Sequence, residues 1–158
     1  MQHTIDSTWP PMSRVTVADL NKDSRTDVIL SVSEGPGRIA WYEAPENPRV
    51  GTWRKHFIGS SQLEGVHSLQ VADMDNDNDI DVITAEMHTS PNKRVIVYLN
   101  EGGIWTPQII AKTGSHNARC GDIGGDNDID IIGKNYSGAG RVIEMWENLT
   151  ANIPVYRN

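Results

Sequence analysis

Short runs of β-branched and aromatic residues occur throughout the chain, and glycine, proline and asparagine separate one run from the next. Runs of this length and composition are typical of β-strands, and no stretch keeps the longer period of an amphipathic helix. The pattern therefore predicts an all-β protein. The predicted strands are 14–18, 27–33, 38–43, 53–59, 67–72, 81–87, 94–100, 105–111, 117–121, 130–135 and 141–147.

An acidic nine-residue loop recurs three times, always between the first and second predicted strands of a group. The loops cover residues 19–27, 73–81 and 122–130, so they begin about 50 residues apart, a spacing typical of propeller and solenoid repeats. Small or apolar residues precede each loop, and a β-branched pair follows it. The same loop between the same flanks predicts a repeat protein with four short strands in each repeat.

Oxygen-bearing side chains fall at positions 1, 3, 5 and 9 of these loops. Calcium takes six to eight oxygen ligands in flexible geometry, and position 7 contributes a backbone carbonyl in the comparable helical calcium loop. The spacing therefore predicts up to three Ca²⁺ ions per chain. The predicted ligands are Asp19, Asn21, Asp23, Arg25 and Asp27; Asp73, Asp75, Asp77, Asp79 and Asp81; and Asp122, Asp126, Asp128 and Asp130.

The three loops differ in their ligand sets. The second is the richest in aspartate, the first carries Lys22 and Arg25 inside the loop, and the third has Gly124 at position 3. We expect calcium affinity to fall in the order second, first, third. The alternative is a set of solvated turns without metal, because Asp and Asn favour turns in their own right. Magnesium and zinc fit less well, since the first demands octahedral geometry and the second prefers nitrogen and sulfur ligands.

Composition limits the classes of partner. The 158 residues fit one domain, and the formal net charge of −7 reflects the acidic loops. No cluster of lysine and arginine indicates nucleic-acid binding, and no apolar stretch is long enough to span a membrane. Cys120 is the single cysteine, which excludes an intrachain disulfide. The sequence opens without the basic and apolar segments of a secretion signal.

These motifs resemble the FG-GAP/VCBS repeats of integrin-α-type β-propellers. The resemblance rests on residues 17–29 and 71–83 and on the Trp-Tyr-Glu sequence at 41–43. It implies one repeat domain over residues 1–158, calcium-loop blades of four antiparallel strands, and an extracellular or periplasmic location. The family usually places glycine at loop position 6, where this chain has Ser24, Asn78 and Asn127. Asparagine tolerates left-handed backbone better than serine does.

The predicted blades leave both ends incomplete. Blade 1 spans residues 13–61, blade 2 spans 66–113, and blade 3 spans 116–158 with an incomplete outer strand. Residues 2–7 resemble the outer strands of the first two blades and form a predicted orphan outer strand. Propellers carry four to eight blades, so three cannot close a ring. Either the chain belongs to a longer propeller, or a homodimer forms a six-bladed ring in which residues 2–7 complete the partner's blade 3. We expect the homodimer, because cyclic dimers are the commonest assemblies.

Two functions remain open from the sequence. The first is a calcium-stabilised scaffold that binds a protein or a glycan. The second is a sugar lyase or dehydratase in the channel, resembling the aldos-2-ulose dehydratase type. It would use His67, His88 and His116, since these residues fall at equivalent ends of neighbouring strands. Imidazoles that converge on a channel can transfer protons or bind a transition metal.

Overall fold

The computed structural model describes residues 1–137 and 142–150 and contains eleven β-strands. No α-helix occurs in these residues, so the prediction of an all-β fold is confirmed. The same residues accordingly offer no helix with the length and hydropathy needed to cross a bilayer. The strands are β1 Ser13–Ala18, β2 Asp27–Val32, β3 Pro36–Glu43, β4 Arg54–Glu64, β5 Val66–Ala72, β6 Asp81–Glu86, β7 Val95–Glu101, β8 Ile104–Ala111, β9 Asn117–Gly121, β10 Asp130–Lys134 and β11 Ile143–Trp146.

The strands form three antiparallel sheets in which neighbours in sequence are neighbours in space. Sheet 1 has the order β1-β2-β3-β4, sheet 2 has β5-β6-β7-β8, and sheet 3 has β9-β10-β11. We call these sheets blades 1, 2 and 3. Their bounds follow the predicted strands closely, except that β4 continues past its predicted end at residue 59. Gly59 makes this possible, because its φ is 63° and a Cβ there would lie 2.5 Å from a ring carbon of Tyr98.

The blades stack side by side, with the first strand of each next to the first strand of the following blade. Two apolar cores fill the spaces between them. The first core lies between blades 1 and 2 and includes Ile29, Trp41, Val82 and Tyr98. The second lies between blades 2 and 3 and includes Ile83, Val97, Ala118 and Ile131. Residues 82 and 83 face opposite cores because successive side chains of a strand point to opposite faces. This is the propeller-like arrangement that the repeats predict.

Residues 2–7 form no strand in the single chain, and their role as the outer strand of another blade stays a prediction. The segment lies against the open face of blade 1. There Asp6 accepts a 2.5 Å hydrogen bond from the Tyr42 hydroxyl and forms an ion pair with Lys55. The Trp9 ring stands edge-on to Tyr42. These residues have no neighbouring strand within the described chain with which to complete a ladder.

Blade 3 differs at its third strand from the alignment that the sequence of the repeats indicates. Matching the third strands by sequence alone aligns Met145 with Tyr42 and Tyr98. Strand pairing instead gives that place to Trp146, which lies opposite Ile131 as Tyr98 lies opposite Val82. A shift of one residue moves a side chain to the other face of the sheet. Trp146 accordingly packs into the second core. Residues 138–141 and 151–158, which include Arg141 and the weak outer strand predicted for the tail, lie outside the described residues.

Two polar contacts recur at both junctions between blades. Asn100 donates a 3.1 Å bond to the Leu20 carbonyl in the loop of the preceding blade, and Asn148 donates a 2.7 Å bond to the equivalent Met74 carbonyl. The position-4 side chains of the first and second loops also reach position 7 of the following loop. This second contact is the Lys22–Asp79 ion pair at one junction and the 2.8 Å Asn76–Asp128 hydrogen bond at the other.

Candidate functional site

The three acidic loops share one backbone conformation. Positions 4 and 6 of each loop have φ angles between 58° and 74°. Glycine adopts this left-handed backbone most easily, and asparagine comes next. The residues are Lys22 and Ser24, Asn76 and Asn78, and Gly125 and Asn127. The first loop therefore adopts the same turn as the others, although Ser24 is poorly suited to it.

The position-1 aspartate organises each turn through its carboxylate. Asp73 accepts hydrogen bonds from the backbone N–H groups of Asp77 at 3.2 Å and Asn78 at 2.9 Å. Asp19 and Asp122 accept the equivalent bonds in their own loops. The position-5 carboxylate accepts a bond from the N–H of position 7 in every loop. Hydrogen bonds to an ionised acceptor are stronger than neutral ones, so these contacts hold the turn closed.

The position-9 aspartate joins each loop to the end of the third strand of its blade. Asp81 is fully buried, and its two carboxylate oxygens accept hydrogen bonds from the N–H groups of Met74 at 2.7 Å and Asn100 at 2.8 Å. Asp27 and Asp130 make the equivalent pair of contacts. The sequence assigned these aspartates to metal alone. Each of them also clamps its own blade, a role that the spacing did not predict.

The second loop fits a bound cation. Ligand oxygens of Asp73, Asp75 and Asp81 lie within 4.8 Å of one another. Asp75 Oδ1 is buried, and no hydrogen-bond donor in the described part of the chain reaches it. Burial, and then the charge of Asp77, raises the pKa of Asp75. A buried polar atom without a partner is costly, and a hard cation among oxygen ligands would remove that cost.

The first and third loops offer fewer open oxygens. In the first, the Arg25 guanidinium and the Asn21 amide both engage the Asp23 carboxylate. Calcium would have to displace these donors. In the third, Gly124 carries no side chain, and its N–H is one of the donors to Asp130 Oδ2. Both observations agree with the expected affinity order, which stays a prediction.

The opposite end of the blades brings together the histidines that the sequence singled out. His67 Nδ1 lies 3.1 Å from His116 Nε2, and their ring centroids are 4.7 Å apart. Tyr136 stands edge-on to both His116 and His88, at centroid distances of 4.8 and 5.1 Å. His88 Nε2 lies 2.9 Å from the Ser137 hydroxyl. The three histidines therefore lie in one cluster, in which Tyr136 lies between His88 and the His67–His116 pair.

Two charged residues that the sequence did not suggest complete this cluster. Glu34 Oε1 lies 2.9 Å from His67 Nε2, and Arg14 donates a 2.9 Å bond to the His67 carbonyl. If His67 carries its proton on Nε2, it donates to Glu34 and accepts from His116 on Nδ1. Burial, and then the charges of His67 and Arg14, lower the pKa of His116. Only the three-dimensional arrangement could find Glu34, because its partner His67 lies 33 residues away in another blade.

Glu86 and Arg94 form a buried ion pair near this cluster. Glu86 is fully buried, and its two oxygens accept bonds from the Arg94 side chain at 2.7 and 2.9 Å. The N–H groups of Glu64 and Arg94 supply two more. Burial alone would raise the pKa of Glu86, but the hydrogen bonds from Arg94 outweigh it and lower the pKa. The pair ties β4, β6 and β7 together, which gives Glu86 a structural role.

Comparison with known protein families identifies the repeat. Residues 19–84 and residues 73–133 each match the model of the FG-GAP-like repeat, and together they cover more than half of the chain. The chain belongs to the FG-GAP-like repeat family. No curated protein gives a significant match. The matched FG-GAP residues include all three acidic loops, so the family match and the shared loop geometry describe the same feature.

We expect calcium to stabilise the second FG-GAP loop more at pH 7 than at pH 5. Burial raises the pKa of Asp81 to about 6, against backbone hydrogen bonds that lower it. In metal-free protein this raised pKa contributes stability at low pH, and that contribution is lost as pH rises through about 6. Calcium requires the ionised carboxylate, so protons compete with it at pH 5. Thermal unfolding with and without calcium at both pH values measures this, and an equal calcium shift at both would contradict it.

The Ser24→Gly variant should be more stable than the natural FG-GAP chain by about 1 kcal/mol, because serine is strained at a φ of 66°. Asn78→Gly provides the matched control, since asparagine already tolerates the same conformation. Urea unfolding of the two variants compares them directly. A gain from Asn78→Gly that equals or exceeds the gain from Ser24→Gly would count against strain at Ser24.

Proposed function

We propose that the protein is a calcium-stabilised, propeller-like interaction scaffold. The observation that carries this proposal is the buried, unpartnered Asp75 Oδ1 beside Asp73 and Asp81. The loop joins the first and second strands, and Asp81 clamps it to the third strand. A cation there would hold the blade together rather than respond to a signal. FG-GAP repeats are typical of extracellular proteins, and we propose an extracellular or periplasmic location, where calcium concentrations fill weak oxygen sites.

Calcium titration of two matched variants tests this proposal. Asp75→Ala removes the unpartnered oxygen from the second loop, and we expect the tightest binding event to disappear from calorimetric titration. Asp79→Asn is the control, because its side chain pairs with Lys22 and its predicted contribution to the metal is the backbone carbonyl. We expect this control to bind calcium nearly as the natural chain does. Unchanged calcium binding by Asp75→Ala would refute the assignment.

We further propose that two copies close a six-bladed ring. Asp6 meets Tyr42 on blade 1, and Gly59 of β4 meets Tyr98 on blade 2 in the equivalent place. This likeness supports our proposal that residues 2–7 act as the outer strand of the preceding blade in the ring. Among the described residues, a cavity of 440 Å³ lined by Ile110 and Trp146 lies beside blade 3, where a fourth strand would fit. Residues 2–7 of a second copy fit this place, with β11 as the strand beside them.

In the proposed ring, blade 3 of one copy lies beside blade 1 of the other. We expect this junction to be the weakest, because it lacks both polar contacts that recur at the other junctions. Ala44 stands where Asn100 and Asn148 stand in the other blades, as the hydrogen bonds to the position-9 aspartates show. Loop position 4 of blade 3 is Gly125, and position 7 of blade 1 is Arg25, which pairs within its own loop.

Analytical ultracentrifugation tests ring closure. We expect a species of twice 17.5 kDa at high concentration that dissociates on dilution. A variant without residues 2–7 should sediment as a monomer at every concentration. A natural chain that stays a compact monomer at the highest concentration measured, or a truncated variant that still dimerises, would overturn closure by this segment.

A second candidate function, a channel lyase, is favoured by one observation. Glu34, His67 and His116 form a continuous hydrogen-bonded row, and burial lowers the pKa of His116. A neutral imidazole in such a row can accept a proton beside a carbonyl group. Under this proposal, a sugar substrate is turned over by the natural chain and turnover is lost in His67→Ala. If the natural chain binds sugars without turning them over, the lyase proposal fails and the scaffold proposal stands.

A further inference from the structure

A polar cavity of 290 Å³ opens beside the histidine pair, at the end of the blades opposite the FG-GAP loops. It is formed by the first strands of all three blades. Its lining residues are Arg14 and Val15 from β1, His67, Leu69 and Gln70 from β5, and His116, Asn117 and Arg119 at β9. Its volume is at the lower limit of typical ligand sites, about 300 Å³, and suits one small molecule.

The cavity is positive in a protein whose net charge is −7. Two guanidinium groups, those of Arg14 and Arg119, line it together with two imidazoles. The Glu34 carboxylate, bonded to His67 Nε2 at 2.9 Å, offsets one of the two guanidinium charges and leaves the other in excess. The aspartates that dominate the charge of the chain lie in loops at the other end of the strands. The excess guanidinium charge therefore attracts an anion to this place.

Both guanidinium groups are held in position by the backbone. Arg14 Nε donates to the His67 carbonyl at 2.9 Å, and Arg119 Nη1 donates to the Ala118 carbonyl at 2.9 Å. A guanidinium has five N–H donors, so each arginine keeps others that can turn toward the cavity. Anchored donors lose less conformational freedom when they bind a ligand. Such planar donor pairs match the oxygens of carboxylate and phosphate groups.

The neutral lining adds a second kind of contact. Gln70 and Asn117 carry amides, which can both donate to and accept from hydroxyl groups. Val15 and Leu69 supply apolar surface for the carbon skeleton of a ligand. We propose that this cavity binds a small polyhydroxylated oxyanion, whose carboxylate or phosphate lies between Arg14 and Arg119. This assignment names a ligand class for the proposed scaffold and uses residues distinct from its calcium loops.

Calorimetric titration with three probes tests the proposal on the full chain in calcium-containing buffer. The probes are glucuronate, glucose 6-phosphate and glucose, which share a sugar ring and differ in charge. We expect at least one of the two anions to bind at least tenfold more tightly than glucose. The preferred anion then identifies the group as a carboxylate or a phosphate. Equal binding of all three probes, or no binding of either anion at millimolar concentration, would overturn the proposal.

The variant Arg119→Gln tests whether the anion binds in this cavity. We expect it to weaken binding of the preferred anion at least tenfold, whereas Arg49→Gln, in the exposed connection between β3 and β4, should leave binding unchanged. Undiminished anion binding by Arg119→Gln would place the site elsewhere and refute the assignment. The calcium-induced shift in unfolding temperature, recorded on the same samples, separates failure of this site from failure of the calcium scaffold.

Discussion

Arg94→Met should lower the free energy of unfolding by about 3–5 kcal/mol, the usual cost of breaking a buried ion pair from one side. Glu86 is fully buried, and the Arg94 side chain donates to both of its oxygens. Methionine would fill part of the space but would leave the Glu86 carboxylate as an unpaired charge. Urea unfolding monitored by tryptophan fluorescence measures the change.

Arg38→Met is the matched control for Arg94, because Arg38 occupies the equivalent place in blade 1. It donates to the Gly59 carbonyl and stacks on Phe57, and no buried carboxylate among the described residues contacts it. We expect a loss of about 1 kcal/mol there, the worth of an ordinary hydrogen bond. The double variant Glu86→Gln/Arg94→Met should recover part of the loss. An Arg94→Met variant no less stable than Arg38→Met would show that the buried pair contributes little.

Acidification should weaken the Glu86–Arg94 pair. The folded pKa of Glu86 is lowered, so its contribution to stability is present above the unfolded value near pH 4.3 and is lost as pH falls further. The destabilisation caused by Arg94→Met should therefore shrink at low pH, where Glu86 becomes neutral.

Asp81→Ala is expected to cost about 2–5 kcal/mol even in the absence of calcium, because two backbone N–H groups lose their acceptor. These are the N–H groups of Met74 and Asn100, at 2.7 and 2.8 Å from the carboxylate, and both bonds are buried. The variant should also lose the stabilisation that calcium provides through this loop. Thermal and urea unfolding in chelator and in calcium separate the two contributions.

The control for Asp81 is Asp79→Ala, two residues earlier in the same loop. Asp79 pairs with the exposed Lys22, and exposed ion pairs contribute about 0–1 kcal/mol. We expect a correspondingly small loss and an intact calcium response. If Asp81→Ala in chelator were as stable as Asp79→Ala, the clamp would be unimportant, and the loop would depend on metal alone.

The fold was predictable from the sequence because the loop motif fixes the phase of each repeat. Asp27, Asp81 and Asp130 begin second strands in the structure as the sequence predicted. The convergence of His67 and His116 followed from their equal distance to these loops. The local sequence pattern was sufficient for features that repeat at a fixed distance from the acidic loop.

Features that depend on contacts between distant residues were not predictable in the same way. Glu34 joins His67 across 33 residues, and Arg14 reaches it across 53. The structural role of Glu86 depends on its burial and on its ion pair with Arg94. The alignment of Met145 instead of Trp146 failed because blade 3 provides a weaker strand pattern than the other blades. The sequence around each of these residues does not reveal its partner, since the partner comes from another part of the chain.

The midpoint of thermal unfolding in calcium and in chelator, measured at pH 7 on the natural chain, tests the calcium scaffold most directly. A ligand at 100 times its dissociation constant stabilises the folded state by about 2.7 kcal/mol. For a chain of this length that corresponds to a rise of roughly 5–10 °C. We predict a rise of this size in calcium, reduced to a small remainder in Asp75→Ala. The same midpoint in calcium and in chelator would contradict the account.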